Sequence, residues 1–183
     1  MTARILVFGL TCIENGNSKQ QTANSKQQAT TSNNGEIKMD YTQIKTIKNF
    51  CSNLASEPDW REVVEGINND TVDFEVDNVR FIHGDHIDII QQEELESDLY
   101  LLGCFNAPFL SGVLDIDQDV IETMQEAEAF EALGKLIISM GRLKELQQQY
   151  SSADGYGRHF NHYDYREGAL MIDGSLYHVF DNR

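Results

Sequence analysis

From residue 40 onward the apolar positions of the chain switch between a helical spacing and strict alternation. Tyr41, Ile44, Ile47, Cys51 and Leu54 recur every three or four residues and predict a helix ending near Ala55. Ser56-Glu-Pro-Asp59 offers a capping serine with proline early in the first turn, which predicts a second helix through Trp60, Val63, Val64 and Ile67. Asn68-Asn69-Asp70 stops it. Thr71–Asp77 then alternates, with Val72, Phe74 and Val76 on one side and Asp73, Glu75 and Asp77 on the other, the pattern of a half-exposed strand. Val79–Ile82 is expected to pair back on it through Asp77-Asn78.

Asp85 is placed to cap a helix through Ile87, Ile90 and Leu95, and Leu99–Leu114 is almost wholly apolar, which predicts burial. A long helix is expected from about Gln118 to Ser139, capped by Asp117. Its stripe drifts from Val120, Ile121 and Met124 to Phe130, Leu133 and Ile137, as in a helix with contacts on more than one side. A short amphipathic helix over Leu143–Tyr150 follows. The C-terminal part reads as strands: about 158–165, then Ala169–Ile172 and Ser175–Phe180 joined by the hairpin dipeptide Asp173-Gly174. The fold class this predicts is α+β, a mostly helical middle with a C-terminal antiparallel β-sheet of about three strands.

Residues 1–38 do not fit this pattern. Ile5–Ile13 is an apolar run too short for the roughly 20 residues a membrane helix needs, and no small-residue cleavage site follows it. Residues 14–37 are rich in Asn, Gln, Ser and Thr and repeat Asn-Ser-Lys-Gln-Gln. With little to bury they are expected to form a disordered tail, possessing no core to offset ordering entropy. The expected organisation is a tail over 1–38, with Met39 a candidate functional start, and one domain over 39–183.

Charge changes the picture more than composition does. The chain of 183 residues has a formal net charge of −16, and residues 49–134 hold 21 Asp and Glu against two cations, Arg61 and Arg80. Such a field repels phosphate backbones and anionic membrane surfaces and attracts basic proteins and divalent cations. Direct nucleic-acid binding and membrane association are therefore not expected. The three cysteines, Cys12, Cys51 and Cys104, are odd in number and far apart, without the spacing of a disulfide framework or a zinc site, which points to a cytoplasmic setting.

Candidate chemistry is sparse. Over 154–165, "DGYGRHFNHYDY", a strand would place His162 and Asp164 on one face and His159 on the other, with His178 on the last strand able to join them. Two histidines and a carboxylate are a set used for iron or zinc, so a divalent metal at His162, Asp164 and His178, with His159 nearby, is one expectation. The plainer alternative is a turn leading to a hydrogen-bonded strand face. His83-Gly84-Asp85-His86 divides the same way, between a cation site and a strand end with a helix cap. Asp115-Ile-Asp-Gln-Asp119 matches the start of a calcium loop, yet Val120 stands where the sharp turn requires glycine. No nucleophile elbow, phosphate-cradling glycine pattern or dinucleotide fingerprint is present, so no cofactor is predicted and the reading leans away from an enzyme. Asp119, Glu122 and Glu126 fall on one side of the predicted long helix as an acidic row, which can imitate phosphates in the groove of a basic protein or simply keep the surface soluble.

Val-Asp-Asn-Val-Arg-Phe-Ile82, Leu-Gly-Cys-Phe105, Glu-Ala-Glu-Ala-Phe-Glu-Ala132 and Asp-Gly-Tyr-Gly-Arg-His-Phe-Asn-His-Tyr-Asp164 carry a resemblance to small acidic proteins encoded in phage and prophage genomes. The resemblance covers residues 76–180 and implies a mobile-element context without an assigned activity. Together these readings lead to the expectation of a non-enzymatic acidic binding protein that engages a basic host protein. A metal-dependent protein built on the histidines is the alternative.

Overall fold

A computed structural model describes residues 39–161 and 167–182. Two helices come first, α1 (Tyr41–Cys51) and α2 (Trp60–Asn68), followed by a hairpin of β1 (Asp73–Val76) and β2 (Val79–His83). Six helices form the middle: α3 (Ile87–Ser97), α4 (Leu99–Cys104), α5 (Ala107–Leu114), α6 (Gln118–Glu126), α7 (Phe130–Ser139) and α8 (Leu143–Asp154). A single turn of helix, α9 (Gly157–Phe160), precedes the last hairpin of β3 (Glu167–Ile172) and β4 (Ser175–Asp181). The class is α+β. No helix among the described residues is long and apolar enough to cross a membrane.

Both hairpins turn on a dipeptide whose first residue has a positive φ: Asp77 and Asn78 at 50° and 65°, Asp173 and Gly174 at 51° and 81°. Left-handed backbone at both central positions matches the twist of paired strands, which is why Asp-Asn and Asp-Gly serve here. The hairpins do not stay apart. β2 pairs with β4, giving one antiparallel sheet of four strands in the order β1-β2-β4-β3. The C-terminal hairpin thus gains two further strands from a hairpin nearly a hundred residues earlier, with Arg80 opposite Phe180 and Ile82 opposite His178.

Period-two geometry gives the sheet two buried faces. Val79, Phe81, Leu170, Ile172, Tyr177 and Val179 pack with Ile47 and Cys51 of α1 and Val63, Val64 and Ile67 of α2. Ile82 and Phe180 point the other way, onto Ile87 of α3 and Phe160 of α9. A separate helical core gathers Leu95, Leu102, Leu110, Ile121, Leu133, Ile137 and Leu146, among others. The molecule therefore stacks a helix pair, a sheet and a helical bundle, each interface removing apolar surface from water.

Several expectations are corrected. The helix of 118–139 is two helices, because Glu128 takes a φ of 55° between them. The break explains the drifting apolar stripe, since each segment aims its own short stripe at the bundle. The strand expected at about 158–165 starts instead as the helical turn α9. Ser56 does not cap α2; Asp59 accepts from the Arg61 amide, while Ser56 donates its amide and hydroxyl to the buried carboxylate of Asp181. Nor does Asp85 cap α3, whose first turn begins at His86 without a side-chain cap. Asp117 caps α6 as expected, accepting from the Asp119 amide.

Candidate functional site

The acidic row is built by α6 and its flanks. Ile121 is the buried residue of this helix, and Gln125 donates from Nε2 to the carbonyls of Gly103 and Phe105, both at 2.8 Å. These two attachments fix which side of α6 meets the bundle. Asp119, Glu122 and Glu126 then lie exposed on the remaining surface, with Asp115 and Asp117 before them and Glu128 and Glu131 after. Among the described residues, none of these seven carboxylates is in an ion pair, and no Lys or Arg occurs between 81 and 134. The row is thus an uncompensated negative surface on a helix held in fixed orientation.

The histidines separate into two clusters. In the first, Arg80 forks onto Asp73 at 2.8 and 2.6 Å and reaches Glu94 at 2.7 Å, with its guanidinium over the Phe160 ring. Glu94 in turn lies 3.0 Å from Nε2 of His159. Burial alone would raise the Glu94 carboxyl, but the hydrogen bonds from His159 and Arg80 and the Arg80 charge outweigh it and hold the carboxyl below its ordinary value. In the second cluster, Nδ1 of His178 lies 2.9 Å from Glu167, and the Tyr156 ring packs edge-on against His178. Tyr156 donates to Asp88 at 2.7 Å, and Gln147 donates to both Asp88 and Gln91. Burial first, then the bond and charge of Asp88, push the Tyr156 phenol up to about 12.

Of the proposed metal ligands, His162 and Asp164 lie outside the described residues. His159 and His178 are described, and each is engaged by a different glutamate. Among the described residues no group of three or more His, Cys, Asp or Glu side chains is arranged to hold a metal ion. The other His-x-x-His segment is a strand end: His83 packs edge-on against His86 and Tyr177, and its Nδ1 accepts weakly from the Asp85 amide at 3.3 Å.

Arg80, Glu94, Tyr156 and Glu167 escaped the sequence reading. Glu94 is a single acid in an acid-rich stretch, with nothing local to mark it. Arg80 carried a usable signal, being one of two cations within 86 residues and placed on a strand. A lone strand cation surrounded by acids is expected to be an ion-pair centre. No protein-family model, curated protein or solved structure matches the chain.

Proposed function

We propose that the chain is a non-enzymatic binding protein whose acidic middle engages a basic partner, the carboxylate row on α6 taking the place of nucleic-acid phosphates. The observation that supports this most is the row itself: Asp119, Glu122 and Glu126 exposed, uncompensated, and oriented by Ile121 and Gln125. Carboxylates three and four residues apart repeat at about 5–6 Å along the helix, so a basic groove that neutralises phosphates meets a comparable line of negative charge. The resemblance to phage-encoded acidic proteins adds a setting, in which the partner is a host DNA-binding or defence protein.

The test is capture of partners at low salt with wild type and with the D119N/E122Q/E126Q triple variant. The expected result is a basic protein retained by wild type, released by added duplex DNA and lost by the variant. Recovery of no basic protein, or of one indifferent to the three substitutions, overturns the reading.

A further inference from the structure

The four-stranded sheet has two edges of opposite character. β1 is four residues long and carries Asp73 and Glu75, a short and charged edge of the kind that resists pairing with another chain. β3 is six residues long, Glu-Gly-Ala-Leu-Met-Ile, with no proline, lysine or arginine and one carboxylate at its start. Nothing among the described residues pairs with its outer side.

The register says which backbone groups that edge presents. The two-residue turn at Asp173-Gly174 makes Ile172 and Ser175 a hydrogen-bonded pair, so Leu170 and Gly168 likewise bond to Tyr177 and Val179. The carbonyl of Leu176 confirms the alternation, since it points to β2 and accepts from Gly84 at 2.7 Å. The amides and carbonyls of Glu167, Ala169 and Met171 therefore point outward. On the same strand Ala169 is exposed and Met171 is 55 % exposed, one of the more open large apolar side chains of the molecule.

These outward positions are symmetric about Ala169. We propose that two copies of the chain join edge to edge through β3, antiparallel about a twofold axis at Ala169, continuing one sheet through both. In that register Ala169 faces Ala169 of the partner subunit, and Glu167 of each copy faces Met171 of the other. Every outward amide and carbonyl of the three residues then finds a complement. A second copy fits better than an arbitrary strand because the same register also joins the exposed Met171 and Ala169 side chains into one apolar strip. The negative charge of each copy opposes the contact, so salt strengthens it. That sign is the reverse of the one expected for binding a basic partner, and the two associations are distinguishable in the same titration.

The test is sedimentation of the full chain over a range of concentrations at low and high salt, with hydrogen exchange read at residues 167, 169 and 171. The expected result is a concentration-dependent dimer that tightens with salt and slows exchange at those amides only when dimeric. Ala169→Pro removes an outward amide without touching the β3–β4 ladder, where proline is tolerated on an edge. It should weaken self-association about tenfold or more, because the twofold axis doubles each lost bond. Ala169→Lys, which sets two like charges opposite each other, serves the same purpose if the proline variant does not fold. A chain that stays monomeric at every concentration overturns the proposal. So does a dimer indifferent to both substitutions, or slow exchange at these amides in the monomer, which would mean that residues of the same chain already cover the edge.

Discussion

Arg80 is the residue on which the sheet and the helical bundle depend electrostatically. Its guanidinium satisfies Asp73 from β1 and Glu94 from α3 and lies over the Phe160 ring of α9, so four elements meet at one half-buried cation. Arg80→Gln leaves two partly buried carboxylates without a cation. Because Asp73 and Glu94 retain 31 % and 39 % exposure, the expected loss is about 1–3 kcal/mol, below that of a fully buried pair; denaturant unfolding measures it. The same network gives a pH dependence. Glu94 has a folded pKa below its unfolded value, so its contribution is present above the unfolded value of 4.5 and is lost as pH falls through the depressed folded pKa. Acidification below about 4.5 should therefore destabilise wild type more steeply than Glu94→Gln, read as the difference between their unfolding midpoints at each pH.

At the scale of elements, α4 and α7 approach each other too closely to admit a side chain at either of two glycines. A Cβ placed on Gly103 would collide with the carbonyl of Phe130, and one on Gly134 with the carbonyl of Leu99. Backbone, unlike the end of a long side chain, cannot step aside, so the two glycines set the distance between these helices. Gly134→Ala should cost about 1–3 kcal/mol by overpacking, despite alanine's better helix propensity, and Gly103→Ala a similar amount. Thermal unfolding of the two variants checks it, and a neutral Gly134→Ala would mean that α7 can slide. The sequence foretold the helical middle, both hairpin turns and the burial of most of 99–114, Tyr100 being exposed, because apolar spacing and turn dipeptides are local signals. It did not foretell the pairing of β2 with β4 or the break at Glu128. The first is a contact across nearly a hundred residues. The second is a positive φ adopted by an ordinary glutamate. Gly103 and Gly134 were likewise silent, since a glycine within a helical pattern shows its purpose only when the neighbouring helix is in place. Asp119, Glu122 and Glu126 could be placed on one helix face from their spacing alone, although the helix that carries them ends at Glu126. The carboxylate partners of His159 and His178 were not legible, for they come from α3 and from the start of β3.

For the molecule as a whole, the charge that makes α6 a candidate surface also works against the fold. A net charge of −16, with 13 acids and no Lys or Arg over residues 81–134, raises the self-repulsion of the compact state. At 0.1 M salt the screening length is about 10 Å, comparable to two turns of the acidic row, so the unfolding temperature should climb between low and physiological salt and then level off. Within the row the three carboxylates are not equivalent. Asp119 sits in the first turn of α6, where the helix dipole favours an anion, and Glu126 ends the helix, where the dipole opposes one. Glu126→Gln should thus raise the low-salt unfolding temperature more than Asp119→Asn does. Each tenth of stability gained is small, since about 1 kcal/mol moves the midpoint of a chain this long by roughly 2–4 °C. The decisive comparison is of stability with binding in one variant. If D119N/E122Q/E126Q is more stable than wild type at low salt yet releases the basic partner, the row is kept at a cost to the fold, as functional surfaces are. A triple variant less stable than wild type would instead make these carboxylates part of what holds α6 in place.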